Sequence, residues 1–415
     1  MNKLIHYGAL AVFVGGGIGV AHADLSETKG GITIKTEDGR FEAKIGGRIH
    51  LDTNIPLDDD EDNIEEGIGE QKFDAFFRRA RLSLEGKAYG WSYKFENDFA
   101  GQDEDAGSGF REMWIGTRMF DAFNVRFGQA KPYRAMEEMT SSNDITFMER
   151  PFISSGSFYG GRPQYILGVF VDNAYTNWGW GVAGYNLKNG ELTSTDADGD
   201  ETSNETDGMG STGRLYFVPI LNDNTVLHLG FSASYENPSQ GQPMTPSSAR
   251  YSGRSGPTAS WGDAASDEDV TSLNVELAGK YGPFYAQAEY AQAEFAEAGG
   301  VAADEDDAKL NSYYLQASWL ITGETKPYDI KRGSFKSPKP IAPTGAWELK
   351  ARYDFIELED VTPDREAKQI AVGVNWYINP AVRLMVEYIS GEREDDDGTE
   401  PFELDIISTR LQFAF

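Results

Sequence analysis

The stretch Leu404-Asp405-Ile406-Ile407-Ser408-Thr409-Arg410-Leu411-Gln412-Phe413-Ala414-Phe415 ends the chain and shows its governing pattern. Ile407, Thr409, Leu411, Phe413 and Phe415 share one parity, which is mostly apolar. Ser408, Arg410, Gln412 and Ala414 share the other, which is mostly polar. Because side chains alternate across a strand, this pattern predicts a strand with one apolar face. The abrupt end on an aromatic residue is typical of the closing strand of an outer-membrane barrel, which lies in the interfacial aromatic girdle. An edge strand of a soluble sandwich is the alternative.

The composition supports the barrel. The chain has 415 residues, no Cys and a formal charge of −30, and aromatic residues make up 13% of it. The lack of Cys excludes disulfides, thiol nucleophiles and Cys-ligated metals. The aromatic content argues against disorder, and no long apolar span follows the N-terminus, which argues against a helical membrane protein. The acid excess argues against nucleic acid as a partner, because phosphate backbones need a basic face.

The N-terminus has the features of a secretory signal, which we predict at residues 1–23. Lys3 supplies the positive start, an apolar core follows, and Ala21-His22-Ala23 forms an A-x-A cleavage site. Residues 24–40 are then a short periplasmic segment, with a strand at Gly31 to Lys35, and residues 41–415 form the barrel. Export of this kind predicts the outer membrane of a Gram-negative bacterium.

Amphipathic segments recur along residues 41–415 and predict an all-β, sixteen-stranded antiparallel transmembrane β-barrel, an even number as bacterial barrels require. The predicted strands are 41–54, 74–89, 91–100, 109–119, 124–130, 165–173, 178–187, 212–220, 225–236, 270–281, 284–295, 310–323, 346–357, 368–378, 382–391 and 402–415. Alternate connections are tight, as at Gly90 and Gly282-Pro283, whereas those between them are long and acidic, as at 55–73 and 237–269. Short turns at one end and long loops at the other are typical of an outer-membrane barrel.

Two connections depart from this scheme. Lys131 to Gln164 is long and contains apolar Phe147, Met148, Phe152 and Phe158, which favours folding into the barrel as a constriction loop over a surface excursion. Glu324 to Gly345 falls at the short-turn end, yet it is long and basic, and the pattern gives no account of it.

The polar faces of the strands are rich in arginine. If Leu82, Leu349 and Leu411 face lipid, parity sends their charged neighbours into the lumen, because a charge on the lipid face costs about 2–4 kcal/mol at the midplane. Arginine binds oxyanions bidentately and stays charged, so these residues could form an anion ladder. Acidic residues share the wall, however, and a set of cross-strand ion pairs that keeps the wall wet is the alternative.

Other features could carry chemistry. The spacing Asp196-x-Asp198-x-Asp200 resembles a calcium loop but lacks its Gly and Glu positions, so solvated acidic loops are the simpler interpretation. Only His50 and His228 remain after signal removal, and no hydrolase motif accompanies them. We therefore predict no catalytic residue, no metal site and no cofactor, and we keep a barrel enzyme or an adhesin as distant alternatives.

The chain resembles the phosphate-selective porin O and P family. The resemblance is carried by Phe77-Arg78-Arg79-Ala80-Arg81-Leu82, Asn124-Val125-Arg126-Phe127-Gly128, Met139-Thr140-Ser141-Ser142, Leu320-Ile321-Thr322-Gly323-Glu324, Gly345-Ala346-Trp347-Glu348-Leu349 and Val374-Asn375-Trp376-Tyr377. It implies a sixteen-stranded trimeric porin whose constriction passes anions along an arginine ladder and a central lysine. Arg48, Arg78 and Arg79 resemble parts of that ladder, although strict parity sets Arg78 beside Leu82 unless a bulge intervenes.

The resemblance breaks at two charged positions. The family's lysine before the Thr-Ser-Ser element falls on Glu138, beside Glu137, and its Asp before Glu on the fourth strand falls on Arg111. The charges of the constriction therefore look exchanged, and we expect Arg111 and Glu138 to face each other near the narrowest point. A selectivity ring works by the sign and density of nearby charge, so the exchange bears directly on ion preference.

We predict an outer-membrane porin for passive diffusion of small hydrophilic solutes and ions, with anions such as phosphate as the leading substrates. The expected anion-attracting residues are Arg48, Arg78, Arg79, Arg81, Arg126, Arg352, Arg383 and Arg410, and the expected constriction residues are Arg111, Glu137 and Glu138. The rival is a weakly selective or cation-preferring porin, favoured by the two glutamates and the acidic loops. Expected partners are outer-membrane lipid, lipopolysaccharide and, by the resemblance, two further copies in a homotrimer.

Overall fold

A computed structural model describes most of the chain outside the long loops. The described residues are 23–28, 31–57, 73–100, 109–154, 164–187, 192–195, 201–204, 208–238, 244, 249–251, 258–259, 266, 268–298, 307–360, 365–395 and 402–415. Residues 1–22, which contain nearly all of the predicted signal peptide, lie outside this set. Residues 196–200, which contain the Asp196-x-Asp198-x-Asp200 spacing, lie outside it as well.

Sixteen long strands form a closed antiparallel barrel. They are β1 (Phe41–Pro56), β2 (Asp74–Ala88), β3 (Trp91–Asp98), β4 (Gly109–Met119), β5 (Phe123–Ala130), β6 (Ile166–Ala174), β7 (Trp178–Asn186), β8 (Met209–Leu221), β9 (Thr225–Asn237), β10 (Val270–Tyr281), β11 (Phe284–Phe295), β12 (Ala308–Leu320), β13 (Ala346–Glu359), β14 (Arg365–Tyr377), β15 (Val382–Asp395) and β16 (Phe402–Ala414). Each pairs with the next, which confirms the predicted strand count and fold class.

The C-terminal stretch closes the barrel. Strand β16 pairs with β1 from Ile406 opposite Pro56 to Ala414 opposite Arg48. The last residue continues the ladder, because the Phe415 N–H donates to the Gly47 carbonyl (3.0 Å) and the Gly47 N–H donates to the Phe415 carbonyl (2.9 Å). A closed ladder leaves no strand edge for lipid to desolvate, which is the condition for crossing a bilayer with strands.

The two-residue rhythm holds around the wall. Leu82, Leu349 and Leu411 expose 42–49% of their surface on the outer face, whereas Arg410 is fully buried inside. The tight turns connect the strands at one end, as predicted; at one of them Gly90 has φ +84°, a left-handed conformation that glycine adopts without steric cost. By the asymmetry of outer-membrane barrels, this short-turn end is periplasmic.

The N-terminal segment extends the sheet at the periplasmic end. Strands Ala23–Thr28 and Gly31–Thr36 form an antiparallel hairpin. The second of them pairs with β1 between Ile32 opposite Ile45 and Lys35 opposite Glu42. This strand therefore pairs with β1 at residues 42–45, which β16 does not reach, because β16 pairs only with residues 48–56.

The connection between β5 and β6 folds into the barrel, as predicted. It contains the one-turn helix α1 (Met136–Met139) and a 3-10 turn at Phe152–Ser154. Phe147, Met148 and Phe152 are all buried. Phe158, which was expected to pack with them, lies outside the described residues.

An apolar cluster fills the lumen at the long-loop end. Phe152 packs edge-on against Tyr251 at 5.5 Å between ring centroids, and inward side chains from several strands surround the pair. These include Val270, Phe295, Leu310, Leu358 and Leu404. The inner face is thus apolar where the loop covers it and polar elsewhere.

The remaining elements are short. In the part of the connections that the structure describes, three two-stranded hairpins lie at Leu192–Thr195 with Glu201–Asn204, Ala249–Arg250 with Thr258–Ala259, and Tyr328–Asp329 with Ser334–Phe335. An isolated bridge joins Met244 to Ser266. No helix in the described segments is both long and apolar enough to span a bilayer.

Candidate functional site

Two adjoining cavities occupy the periplasmic half of the lumen. The larger has a volume of about 640 Å³ and the smaller about 330 Å³. They share the lining residues Arg48, Glu85, Lys94, Glu96, Ser141 and Arg332. Since periplasmic turn residues such as Gly90 and Asn379 border them, together they form a vestibule that leads from the constriction loop towards the periplasm.

The wall of the larger cavity is basic although the chain as a whole is strongly acidic. Nine basic side chains of the described residues line it: Arg48, Lys87, Lys94, Arg118, Arg126, Lys131, Arg214, Lys331 and Arg332. The acidic ones are Glu85, Glu96, Glu112 and Asp172. In a concave site with low-dielectric walls, an excess of one sign of charge concentrates ions of the opposite sign, and the excess among these lining residues is positive.

A bulge brings two adjacent arginines into the lumen. The register between β1 and β2 slips by one residue, since His50 lies opposite Arg79 and Leu51 opposite Phe77. Arg78 is the extra residue, and it reaches the constriction loop, where Nε and Nη2 donate to the two carboxylate oxygens of Glu149 at 2.7 Å each. The expectation that Arg78 would need a bulge to enter the lumen is therefore met by the structure.

Glu149 collects several of these cations. The Nη1 of Arg79 lies 3.7 Å from its Oε1, and Arg410 donates to the same oxygen at 2.6 Å. Burial alone would raise the pKa of the Glu149 carboxyl, but Arg78, Arg79 and Arg410 hold that pKa well below its usual range. The carboxylate therefore stays ionised and fixes this part of the loop against the wall.

Arg48 and Arg126 border the open vestibule. Arg48 donates from Nη1 to the Ser142 hydroxyl (2.8 Å) and from Nη2 to Glu96 (3.0 Å). Arg126 donates to the Tyr133 hydroxyl (2.5 Å) and to Asp172 (3.1 Å). Both remain positioned by neutral or acidic partners while their guanidinium groups border water-accessible space.

Arg81 is instead held within the wall. It donates to Asp98 (2.7 Å), Glu96 (3.2 Å) and the Tyr165 hydroxyl (3.1 Å). Two carboxylates neutralise its charge, which corresponds to the alternative of cross-strand ion pairs rather than to a free rung of a ladder.

The three arginines predicted on the later strands lie beneath the constriction loop. Arg352 donates to the Glu149 carbonyl (2.9 Å), Arg383 to the Ile145 carbonyl (3.0 Å) and Arg410 to the Met148 carbonyl. Arg383 also borders the smaller cavity. These side chains point inward as parity requires, but their polar atoms anchor the loop, and a part in attracting ions remains a prediction for them.

Carboxylates of the wall complete the anchoring from the other side. Glu289 accepts the backbone N–H groups of Met136 (2.8 Å) and Glu137 (2.9 Å), and thereby caps the start of α1. Further along the loop, Glu387 accepts the N–H of Met148 at 2.7 Å. Sequence reasoning missed this role, because the register that brings wall and loop together is set by tertiary packing.

The predicted constriction residues have different neighbours from those expected. The Nε of Arg111 approaches Asp98 at 3.5 Å. Glu138 lies between two cations of its own loop, with Lys131 at 3.7 Å and Arg150 at 3.8 Å. Glu137 is buried, and its carboxyl accepts from the Gln287 amide at 3.2 Å. Arg111 and Glu138 thus each lie beside an opposite charge of their own surroundings, and their opposition across the narrowest point stays a prediction.

The long basic connection at 324–345 also folds into the lumen. Arg214 donates to the carbonyls of Arg332 (2.8 Å) and Gly333 (2.9 Å), which fixes the tip of the Tyr328–Phe335 hairpin. Ser337 donates from its hydroxyl to the Asn143 carbonyl of the constriction loop (2.9 Å). The segment therefore forms the floor beneath that loop, and its length and basic charge at the short-turn end were the signal for it.

Two lysines of the 324–345 segment have different surroundings. Lys326 is buried, with its ammonium 2.9 Å from Glu348 and donating to the Thr146 hydroxyl of the constriction loop at 2.9 Å. Lys331 borders the larger cavity. One basic residue thus holds the segment to wall and loop, and the other adds to the positive vestibule. Among the described residues, no group of three or more His, Asp or Glu is arranged to hold a metal ion.

A closed sixteen-stranded barrel with a charged, water-accessible lumen and an inward loop defines an outer-membrane porin. The chain belongs to the phosphate-selective porin O and P family, whose profile matches residues 43–415. It is 30% identical to Porin O of Pseudomonas aeruginosa over 94% of this chain and 92% of that one. The protein accordingly lies in the outer membrane of a Gram-negative bacterium.

Solved structures share the fold. An anion-selective porin from Comamonas acidovorans superposes with a TM-score of 0.54 at 15% identity, over 90% of this chain and 100% of that one. The trimer form of OmpT, an outer membrane protein of Vibrio cholerae, superposes with a TM-score of 0.53 at 10% identity, over 90% of this chain and 99% of that one.

Proposed function

We propose that this porin conducts small inorganic anions, phosphate among them, by passive diffusion through the vestibule, without a chemical step. The observation that carries the proposal is the sign of the larger cavity's wall, nine basic against four acidic side chains in a chain of net charge −30. Membership of a phosphate-selective family and the relation to Porin O support it.

The structure also bears on the rival, a weakly selective or cation-preferring pore. That rival rests on Glu137, Glu138 and the acidic loops. Glu138 is flanked by Lys131 and Arg150, and Glu137 is buried against Gln287, so neither presents a free carboxylate to the vestibule. Burial raises the pKa of the Glu137 carboxyl. Charges more than about 10 Å from an ion are largely screened by salt at 0.1 M.

Reversal potentials in planar bilayers test the proposal. With a tenfold gradient of potassium chloride, an anion-preferring pore gives a potential of the chloride sign, bounded by about 59 mV for one charge per ion. Addition of phosphate to a chloride solution should lower chloride conductance, because the two anions compete for the same cations. A potential of the potassium sign would establish the cation-preferring alternative instead.

We further propose that the barrel assembles as a homotrimer in contact with lipid and lipopolysaccharide. The trimer form of the structurally similar outer membrane protein of Vibrio cholerae supports the assembly. The outward leucines and aromatic residues, including Trp319 and Phe413, supply the apolar surface that lipid or a neighbouring copy would cover. Cross-linking in native membranes should give a ladder that ends at three copies.

A further inference from the structure

The constriction loop lacks the lysine that the family resemblance predicts before Thr140-Ser141-Ser142, and it has Glu138 in that place. The structure turns this glutamate away from the vestibule. Its residue surface is only 5% exposed, and its carboxylate lies between the cations of Lys131 and Arg150. The exchange of charge in the sequence is therefore compensated within the loop.

Lys131 occupies the position that faces water. It follows Ala130, the last residue of β5, and its side chain borders the larger cavity with 12% of its surface exposed. Its ammonium donates to the backbone carbonyl of Glu138 at 2.7 Å and lies 5.5 Å from the centre of the Tyr165 ring. A carbonyl and an aromatic face orient the group, and the nearest carboxylate oxygen, that of Glu138, lies 3.7 Å from the ammonium.

Arg150, the other cation beside Glu138, is hydrogen-bonded to the loop backbone. Its Nε donates to the Glu137 carbonyl (3.1 Å) and its Nη2 to the Thr140 carbonyl (2.7 Å), so it ties the two ends of α1 together. Lys131, Glu138 and Arg150 together carry one net positive charge when all three are ionised. Since Arg150 is buried against backbone, that surplus is presented to the vestibule by Lys131.

We propose that Lys131 is the selectivity-determining cation of the constriction loop, and that it takes over the part of the lysine replaced by Glu138. This inference rests on the proposed function of anion conduction and assigns that function to one side chain. Its ligand class is small inorganic anions, which a compact ammonium at the edge of a narrow lumen attracts as a point charge.

The same surroundings make the charge of Lys131 sensitive to pH. Burial lowers the pKa of its ammonium to about 8, Arg150 and Arg81 act in the same direction, and Glu138 opposes them. The groups that face it are Glu138 and Arg150 from the loop, Tyr165 at the end of the loop, and Arg81 from β2. The charge is present below the lowered pKa and disappears as the pH rises through about 8. Anion preference should fall over that range.

Three variants and the wild type form the test, each measured as a trimeric pore in planar bilayers under a potassium chloride gradient. Lys131→Gln should lower the chloride-to-potassium permeability ratio about fivefold, the effect of one hydrated unit charge at contact distance. Lys131→Arg keeps the charge and should keep the ratio. Lys35→Gln is the matched control, because Lys35 lies on the N-terminal hairpin, is 54% exposed and lines neither cavity.

A pH series separates the charge of Lys131 from its shape. Between pH 6 and pH 9.5 the wild-type ratio should fall towards that of Lys131→Gln, whereas the ratio of Lys131→Arg should change much less. Heat-modifiable migration in gels verifies that each variant is folded. If Lys131→Gln does not form pores, the wild type and Lys131→Arg decide the question through the pH series alone.

The outcomes are distinguishable from failure of the proposed function. A wild-type pore with a potential of the potassium sign refutes anion conduction itself. An anion-preferring wild type whose ratio is unchanged in Lys131→Gln, or whose pH series matches that of Lys131→Arg, leaves anion conduction intact and overturns the assignment to Lys131.

Discussion

Removal of Arg410 tests whether the wall arginines hold the constriction loop. Its guanidinium is fully buried and makes a bidentate pair with Asp52 at 2.7 and 2.6 Å. It also donates to Glu149 at 2.6 Å and to the Met148 carbonyl of the loop. Arg410→Met keeps most of the volume of the side chain and removes all four hydrogen bonds.

The expected cost is large because the partners remain. Breaking a buried ion pair by removing one side costs about 3–5 kcal/mol, since the other charge is left without compensation. The two bonds to the loop contribute about 1.5–3 kcal/mol each as hydrogen bonds to a charged group. A loss of about 3 kcal/mol in loop docking would lower the ratio of docked to undocked loop by roughly a hundredfold.

Two measurements read these effects separately. Urea unfolding in lipid vesicles, followed by tryptophan fluorescence, should show the loss of stability of the barrel. Single-channel recordings should show added current noise or higher conductance, because the loop leaves its docked position more often. The control is Arg40→Met, which removes a pair with Asp38 in an exposed turn and should change neither reading.

A double-mutant cycle with Glu149→Gln identifies the loop contact. Because Arg410 and Glu149 are in direct contact, their effects should be non-additive by about 0.5–3 kcal/mol. Strictly additive effects, or an Arg410→Met pore with wild-type stability and noise, would refute the view that this arginine anchors the loop.

Three further changes probe the loop and the floor beneath it. Glu138→Gln should move the reversal potential towards the chloride sign, because Lys131 and Arg150 lose the carboxylate between them; movement towards the potassium sign would contradict the charge balance. Lys326→Met should cost about 3–5 kcal/mol and speed tryptic cleavage after Lys331, whereas Lys336→Met, which breaks a more exposed pair, should not. Burial raises the pKa of Glu137, so its contribution to loop docking is present at low pH and is lost as the pH rises through that raised value. Channel noise should therefore increase with pH in the wild type and become less dependent on pH in Glu137→Gln.

Most of the barrel could be predicted because its determinants are local. Alternation along a strand decides which residues face out, and the C-terminal stretch displays the rule at Leu411 and Arg410. The sequence predicts that Arg78 and Arg79 can both point inward only if a β-bulge is present. It does not predict where on β1 the bulge lies, because that depends on the register between β1 and β2.

The interior could be predicted less well because its determinants are not local. Parity places Arg352 and Arg383 inside, yet it does not reveal that the loop lies over them and takes up their hydrogen bonds. Alternation alone also fails to predict that apolar side chains face the lumen at the long-loop ends of β10 to β13. The residues that cover them, Phe152 and Tyr251, come from distant connections.

The constriction loop and the 324–345 segment both fold into the lumen and contact each other there. The barrel wall supplies a rigid frame, and the loop and the 324–345 segment meet within it through Ser337 and Lys326, which bind the loop at Asn143 and Thr146. Selectivity at the narrowest region then depends on side chains that no strand register constrains. Lys131 and Glu138 lie in the loop, so a change of charge at either position disturbs no ladder hydrogen bond. Charges more than about 10 Å from an ion are largely screened by salt, so the field at the constriction depends mainly on nearby side chains. The strong net negative charge of the chain is therefore compatible with a basic vestibule.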